Sequence, residues 1–317
     1  MASSIYHHGL VALASFLFLF SVASSTSHVT PHRMLSLVKH PPLVLNYHGG
    51  PLLKPTLTVN ILWYGNFSAL QRSVIVDFLG SLSNPKRIAP KATPSVSTWW
   101  ITVASYKGGP CNVVLGRQVF DGKYSLGRKT TLTARHIKLL ASRAAGKGNN
   151  AGLSLVLTAA DVAVQGFCMN TCGSHGWFNA KGRKAAYAWV GNSAKQCPGE
   201  CAWPFHKPIY GPQTPPLVPP SGDVGADGMV INLATVVAGT VTNPFDTGYF
   251  QGPNTAALEA VSACTGIFGT GAYPGYPGKV LVDKKTKASF NAYGVNGREY
   301  LLPAMWDPRT STCKTLV

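Results

Sequence analysis

Seven cysteines constrain this chain more than any other feature, because all lie beyond residue 110 and four of them form two Cys-x-x-x-Cys clips. Cys168 and Cys172 fall in GFCMNTCGSHG, Cys197 and Cys201 in QCPGECAWPF, and Cys111, Cys264 and Cys313 stand apart. Gly, Pro and Asn break up both clips, so they belong to loops. Two chemistries fit this pattern. In an oxidising compartment Cys168, Cys172, Cys197, Cys201, Cys264 and Cys313 are candidates for three disulfides, with one thiol left over. Alternatively, two clips of thiolates can close a tetrahedral zinc site.

The N-terminus bears on that choice. Leu10 to Ala23 reads LVALASFLFLFSVA, an apolar run of signal-peptide length and shorter than the roughly 20 residues that cross a bilayer. Ser21 and Ala23 are small residues at the positions a signal peptidase reads, so 1–23 is expected to be a signal peptide cut after Ala23. A retained anchor is the other outcome, since the flank carries His7 and His8 but no Lys or Arg. No later segment reads as a membrane span. A secreted chain favours disulfides over zinc, and neither a metal nor a cofactor is expected.

The first basic residue is Arg33, so the charge of +17, from 28 Lys and Arg against 11 Asp and Glu, stays with the mature chain. Only 12% of residues are charged and 45% are apolar, which excludes a disordered polyelectrolyte and leaves enough apolar side chains for a core.

Residues 24–53 read as an N-terminal arm and 54–317 as one domain. Leu57–Tyr64 is a β-branched and aromatic strand, and Ser68 to Gln71 a capping box opening a helix in which Leu70, Val74, Phe78 and Leu82 recur. Val96–Tyr106 fits helix or strand, Asn112–Phe120 a strand, Thr131–Ala145 an amphipathic helix, and Leu153–Leu157 a doubly covered strand. A long stapled loop region, with Ala186–Val190 strand-like inside it, is expected from Gly166 to Gly222. A buried helix is expected after Asp227, running to Thr242, and a strand at Lys279–Asp283. The fold class is therefore α+β (α/β-like): a central mixed sheet flanked by helices.

Known catalytic patterns are missing. The chain has no Gly-x-Ser-x-Gly elbow, no phosphate-cradling Gly-rich loop and no His-Glu-x-x-His. Asp223 and Asp227 are the one close pair of carboxylates, and they read first as turn and N-cap residues. His175 and His206, in the cysteine loops beside Trp177, Trp203 and Phe205, are the candidate acid-base or ligand groups. His136 reads as an ordinary helix residue. Lys123, Arg128, Lys129, Arg135, Lys138, Arg143 and Lys147 follow one another with no acid between them, which makes them a candidate positive surface. Inside a cell that surface would point to nucleic acid; outside, it points to acidic polysaccharide. Asn66 heads the one sequon considered, Asn66-Phe67-Ser68.

The strings LNYHGGPLL (45–53), GFCMNTCGSHG (166–176), YAWVGN (187–192), QCPGECAWPFHKPIYGPQTPPLVPPSGDVGADGMVINLA (196–234) and YLLPAMWDPRTSTC (300–313) closely resemble the plant EXORDIUM family, also called the phosphate-induced protein family. The resemblance implies a secreted, apoplastic or cell-wall protein linked to brassinosteroid-dependent cell expansion, with no established activity and no catalytic residues to carry over. Its partners would be acidic wall polysaccharide or an extracellular protein, not nucleic acid. The family is also similar to the zincin peptidases. On that comparison, the helix 228–242 holds Thr235 and Val236 where an enzyme has its His and Glu, with Gly239 one turn on. The expectation is a non-enzymatic binding protein, the alternative a hydrolase of wall polysaccharide or peptide using Asp223, Asp227, His175 or His206.

Overall fold

The computed structural model describes residues 42–53, 55–83, 86, 88, 92–109, 111–146, 152–169, 171–212 and 214–317. The expected signal peptide, most of the N-terminal arm, and Lys147 lie outside them.

In chain order the elements that build the domain are β1 (Asn46–Tyr47), β2 (Thr56–Tyr64), α1 (Ala69–Ser81), α2 (Val96–Trp100), β3 (Asn112–Asp121), α3 (Ala134–Ala145), β4 (Leu153–Thr158), β5 (Gly173–Ala180), β6 (Arg183–Gly191), α4 (Pro198–Cys201) and α5 (Val224–Thr242). The central sheet has the order β3-β2-β4-β6-β5. Its first four strands run parallel, and β5 is an antiparallel edge strand on β6. Every residue of β4 is buried, as expected for a strand covered on both faces. Helices α1 and α5 pack on one another, whereas α3 packs on β2 and β4 without them and so covers the other face.

The capping box of α1 is present in full: Ser68 Oγ accepts from the Gln71 amide, and the Gln71 side chain accepts from the Ser68 amide. Val74, Phe78 and Leu82 are buried, while Leu70 is 43% exposed. Helix α3 begins three residues later than expected, because Thr133 caps it together with His136. Residues 96–105 resolve as helix followed by a 3-10 turn. The strand expected at 279–283 is only Leu281–Val282.

Three differences have physical causes. First, the region 166–222 is not loop throughout, since residues 173–191 form a hairpin of the main sheet. Its turn, Lys181–Gly182, has positive φ at both positions, which matches the twist of the strands. Second, α5 starts after Asp223, whose side chain accepts from the Ala226 amide, and Asp227 lies in the first turn. Gly225 and Gly228 hide that turn from propensity, but the packing needs them: a Cβ at Gly225 would lie 2.4 Å from Asn192 Oδ1, and one at Gly228 2.7 Å from Ala202 Cβ. Third, α5 is long and apolar enough to cross a membrane, contrary to expectation, yet most of it is enclosed by the protein. Part of the expected arm also belongs with the domain, because β1 pairs with Tyr249–Phe250.

Three disulfides join Cys168–Cys197, Cys172–Cys201 and Cys264–Cys313. The four-thiolate zinc alternative is thereby excluded, and Cys111 remains a buried thiol. The last bridge fastens the C-terminal hairpin, Met305–Asp307 with Thr312–Lys314, to the segment 262–264.

Candidate functional site: a cleft over helix α5

The two parallel bridges hold α4 and the start of β5 above the middle of α5. Between them and the segment 261–268 lies a cleft of about 310 Å³. Asn232, Thr235 and Val236 of α5 form its floor, Thr171 and Glu200 one wall, and Ser262 and Thr265 the other. Beneath it Phe205, Ile231, Phe268 and Leu301 form a small separate core, with Trp203 packed against it.

The floor offers hydroxyl and amide groups. Thr235 Oγ1 donates to the Ile231 carbonyl at 3.0 Å, and Asn232 Nδ2 donates to the carbonyls of Cys201 and Gly228. Both side chains keep an oxygen as acceptor. One turn beyond Thr235, Gly239 lies directly under a half-buried histidine–carboxylate hydrogen bond. His175 Nε2 meets Glu259 Oε2 at 2.7 Å, with the side chains only 10% and 14% exposed. Asn243 Nδ2 donates to Glu259 Oε1 at 2.6 Å, and the Ser262 hydroxyl and Glu259 amide are 2.8 Å apart. His175 Nδ1 is buried and has no hydrogen-bond partner among the described residues. A Cβ on Gly239 would come within 2.6 Å of Glu259 Oε2 and 3.0 Å of His175 Nε2, so the pair fills the place a side chain would take.

The candidate residues do not converge. Asp223 caps α5 and accepts from Gln71 Nε2 at 2.9 Å. His175 stands over Gly239, so at roughly 1.5 Å per residue the two are about 24 Å apart along the helix. Asp227 Oδ2 accepts from both the amide and the hydroxyl of Ser221 at 2.8 Å. Burial pushes its carboxyl up to about 7, against the lowering effect of the Ser221 bonds. His206 is exposed, its Nδ1 3.0 Å from the carbonyl of the adjacent Lys207. His136 is half-buried in α3, as expected of an ordinary helix residue, and its Nδ1 accepts from the Thr133 amide in the helix cap. Glu259, the partner of His175, lies in the Gly-rich C-terminal third, where no periodic pattern marks it.

Lys123, Arg128, Lys129, Arg135, Lys138 and Arg143 are all exposed, on the 122–133 loop and α3. The flanking acids fold back on them: Arg143 pairs with Asp121 at 3.0 Å and Arg128 with Asp161 at 3.5 Å. Arg117 joins the group through its bond to the Arg143 carbonyl. Asn66 is exposed, but Ser68 of its sequon is committed to capping α1. Among the described residues, no three His, Cys, Asp or Glu side chains are grouped to hold a metal ion.

No solved structure matches this chain. It is similar to Protein EXORDIUM-like 2 of Arabidopsis thaliana, 57% identical over 89% of this chain and 92% of the relative. It is 52% identical to Protein EXORDIUM of Arabidopsis thaliana, over 86% and 90% of the two chains. Protein PHOSPHATE-INDUCED 1 of Nicotiana tabacum is also 52% identical, over 90% and 92%. Residues 45–316 match the Phosphate-induced protein 1 conserved region, and the chain therefore belongs to the EXORDIUM, or phosphate-induced protein, family of plants.

Proposed function

We propose that this is a secreted protein of the plant cell wall and apoplast that promotes cell expansion and growth in a brassinosteroid-linked way, and that it acts by binding rather than by catalysis. The observation that carries this reading is the cleft floor. A mixed sheet with an antiparallel edge strand beside a long buried helix is compatible with a zincin-like scaffold, and on such a scaffold Thr235, Val236 and Gly239 would stand where an enzyme has two ligands and a base. None of them ligates a metal in the ordinary way or takes a proton, and the nearby imidazole is engaged by Glu259. Three bridges support an oxidising, extracellular setting.

The exposed basic face supports an acidic wall polysaccharide as the counter-charge. A column of de-esterified pectin tests it: the oxidised protein is retained at low salt and released by about 1 M NaCl. Changing Lys123, Arg128, Lys129, Arg135 and Lys138 to Gln abolishes retention. Retention that survives that salt, or those substitutions, refutes the proposal. Hydrolysis of wall glycan or peptide by the pure protein, lost on changing His175 or Asp227, would favour the hydrolase alternative.

A further inference from the structure

The cleft does not end at Trp203. Trp203, Thr265 and Gly266 line both it and a second groove of about 530 Å³, which opens between the loops 208–212 and 272–275. Two aromatic rings stand out of the protein there, Tyr210 at 82% and Tyr273 at 63% exposure. Both loops are held in place. Tyr273 packs on Tyr276 with ring centres 5.1 Å apart. The Thr214 hydroxyl donates to the Gly275 carbonyl at 2.8 Å, and a Cβ on Gly275 would lie 2.7 Å from the Pro212 ring. Exposed aromatics on braced loops mark a recognition surface more than an accident of packing.

The charge distribution narrows the ligand. In a chain with 28 Lys and Arg, no basic residue lines either groove or cleft among the described residues, and among them Glu200 of the cleft is the one charged lining residue. An anion would meet a carboxylate and no cation here, so its affinity belongs elsewhere on the surface. A neutral ligand that presents flat apolar faces at one end and hydrogen-bonding groups at the other fits both halves of the site.

We propose that this continuous groove binds a neutral saccharide chain. Sugar rings lie with their C–H faces on Tyr210, Tyr273 and Trp203, and the hydroxyls of the leading units reach Glu200, Asn232 and Thr235 in the cleft. Such a site combines apolar contact with a few placed polar groups, as small-ligand sites do. A proline-rich peptide also docks on aromatic grooves, but it has few donors for the carboxylate and amide of the cleft. The inference rests on the reading of a wall-binding protein, and it adds a second site whose chemistry is independent of the basic face.

Calorimetric titration of the oxidised full chain with cellohexaose, xylohexaose and mannohexaose tests it, with a polyproline decapeptide as comparison. At least one hexasaccharide is expected to bind, with affinity unchanged between low salt and about 0.5 M NaCl. The Tyr210→Ala/Tyr273→Ala double variant weakens it by at least about tenfold, whereas Tyr210→Phe/Tyr273→Phe keeps it. Glu200→Gln weakens binding without unfolding the chain. The proposal is overturned if no hexasaccharide binds, if the double alanine variant binds as well as the wild type, or if only the decapeptide binds. The five basic-to-Gln changes leave saccharide binding intact, so failure on pectin and failure here are separate results.

Discussion

Asp227 offers the sharpest test of the packing around the start of α5. The residue is 3% exposed, and burial raises its pKa from 3.8 to about 7. The folded protein therefore holds a proton that the unfolded chain has already released across that interval. Because the folded state binds more protons there, stability falls as pH rises. The contribution of Asp227 is full below about pH 4 and lost as pH climbs through about 7. A shift of this size at 1.36 kcal/mol per unit amounts to about 4 kcal/mol, a large part of the 5–15 kcal/mol that holds typical domains together.

Asp227→Asn isolates this effect. Its Oδ1 can accept both Ser221 bonds, and its amide replaces the acid proton as donor. Urea denaturation of both proteins, bridges intact, is to be followed from about pH 4 to about pH 8. The two are expected to be nearly equal at the acid end, with the variant more stable by up to about 4 kcal/mol at the alkaline end. Glu299, also raised by burial, adds a slope of the same sign to both proteins and cancels in the difference. Asp283 and Asp307 are lowered, so their opposite effect is confined below about pH 4. Parallel curves for wild type and variant, or a wild type that gains on the variant with rising pH, would refute the argument.

Two further outcomes follow from packing and connectivity. Gly239→Ala sets a methyl 2.6 Å from Glu259 Oε2; Glu259 cannot swing away without losing Asn243, so the variant loses about 1–3 kcal/mol and, by imidazole NMR, a normal His175 environment. Replacing both Cys264 and Cys313 by Ser opens a loop of 49 residues and lowers stability by about 4 kcal/mol in the same urea assay; an unchanged midpoint would mean that the tail docks without its bridge.

Strong local signals carried the sequence reading where they existed. The capping box at Ser68, the amphipathic stripe of α3 and the apolar run of β4 each follow from a few neighbouring residues, and each is present. Strand β5, GSHGWFNA, has none of that: it lacks Val, Ile and Thr, and its place at the sheet edge comes from pairing with β6. The start of α5 was hidden by Gly225 and Gly228, whose reason is close packing. His175 was legible as a site candidate from its cysteine loop, but Glu259, 84 residues away, was not. The groove was legible only as aromatics near Gly-rich loops, because its two sides come together only in three dimensions.

The hairpin turn at Lys181–Gly182 is exposed, and it lies within two covalent rings at once, those closed by Cys168–Cys197 and by Cys172–Cys201. A protease that cuts there does not separate the pieces. Both halves remain joined by two sulfur links, and β5 keeps its partner because the strand pairing does not run through the turn. A nicked chain would migrate at full size until reduced, and would keep the cleft whose wall those bridges support.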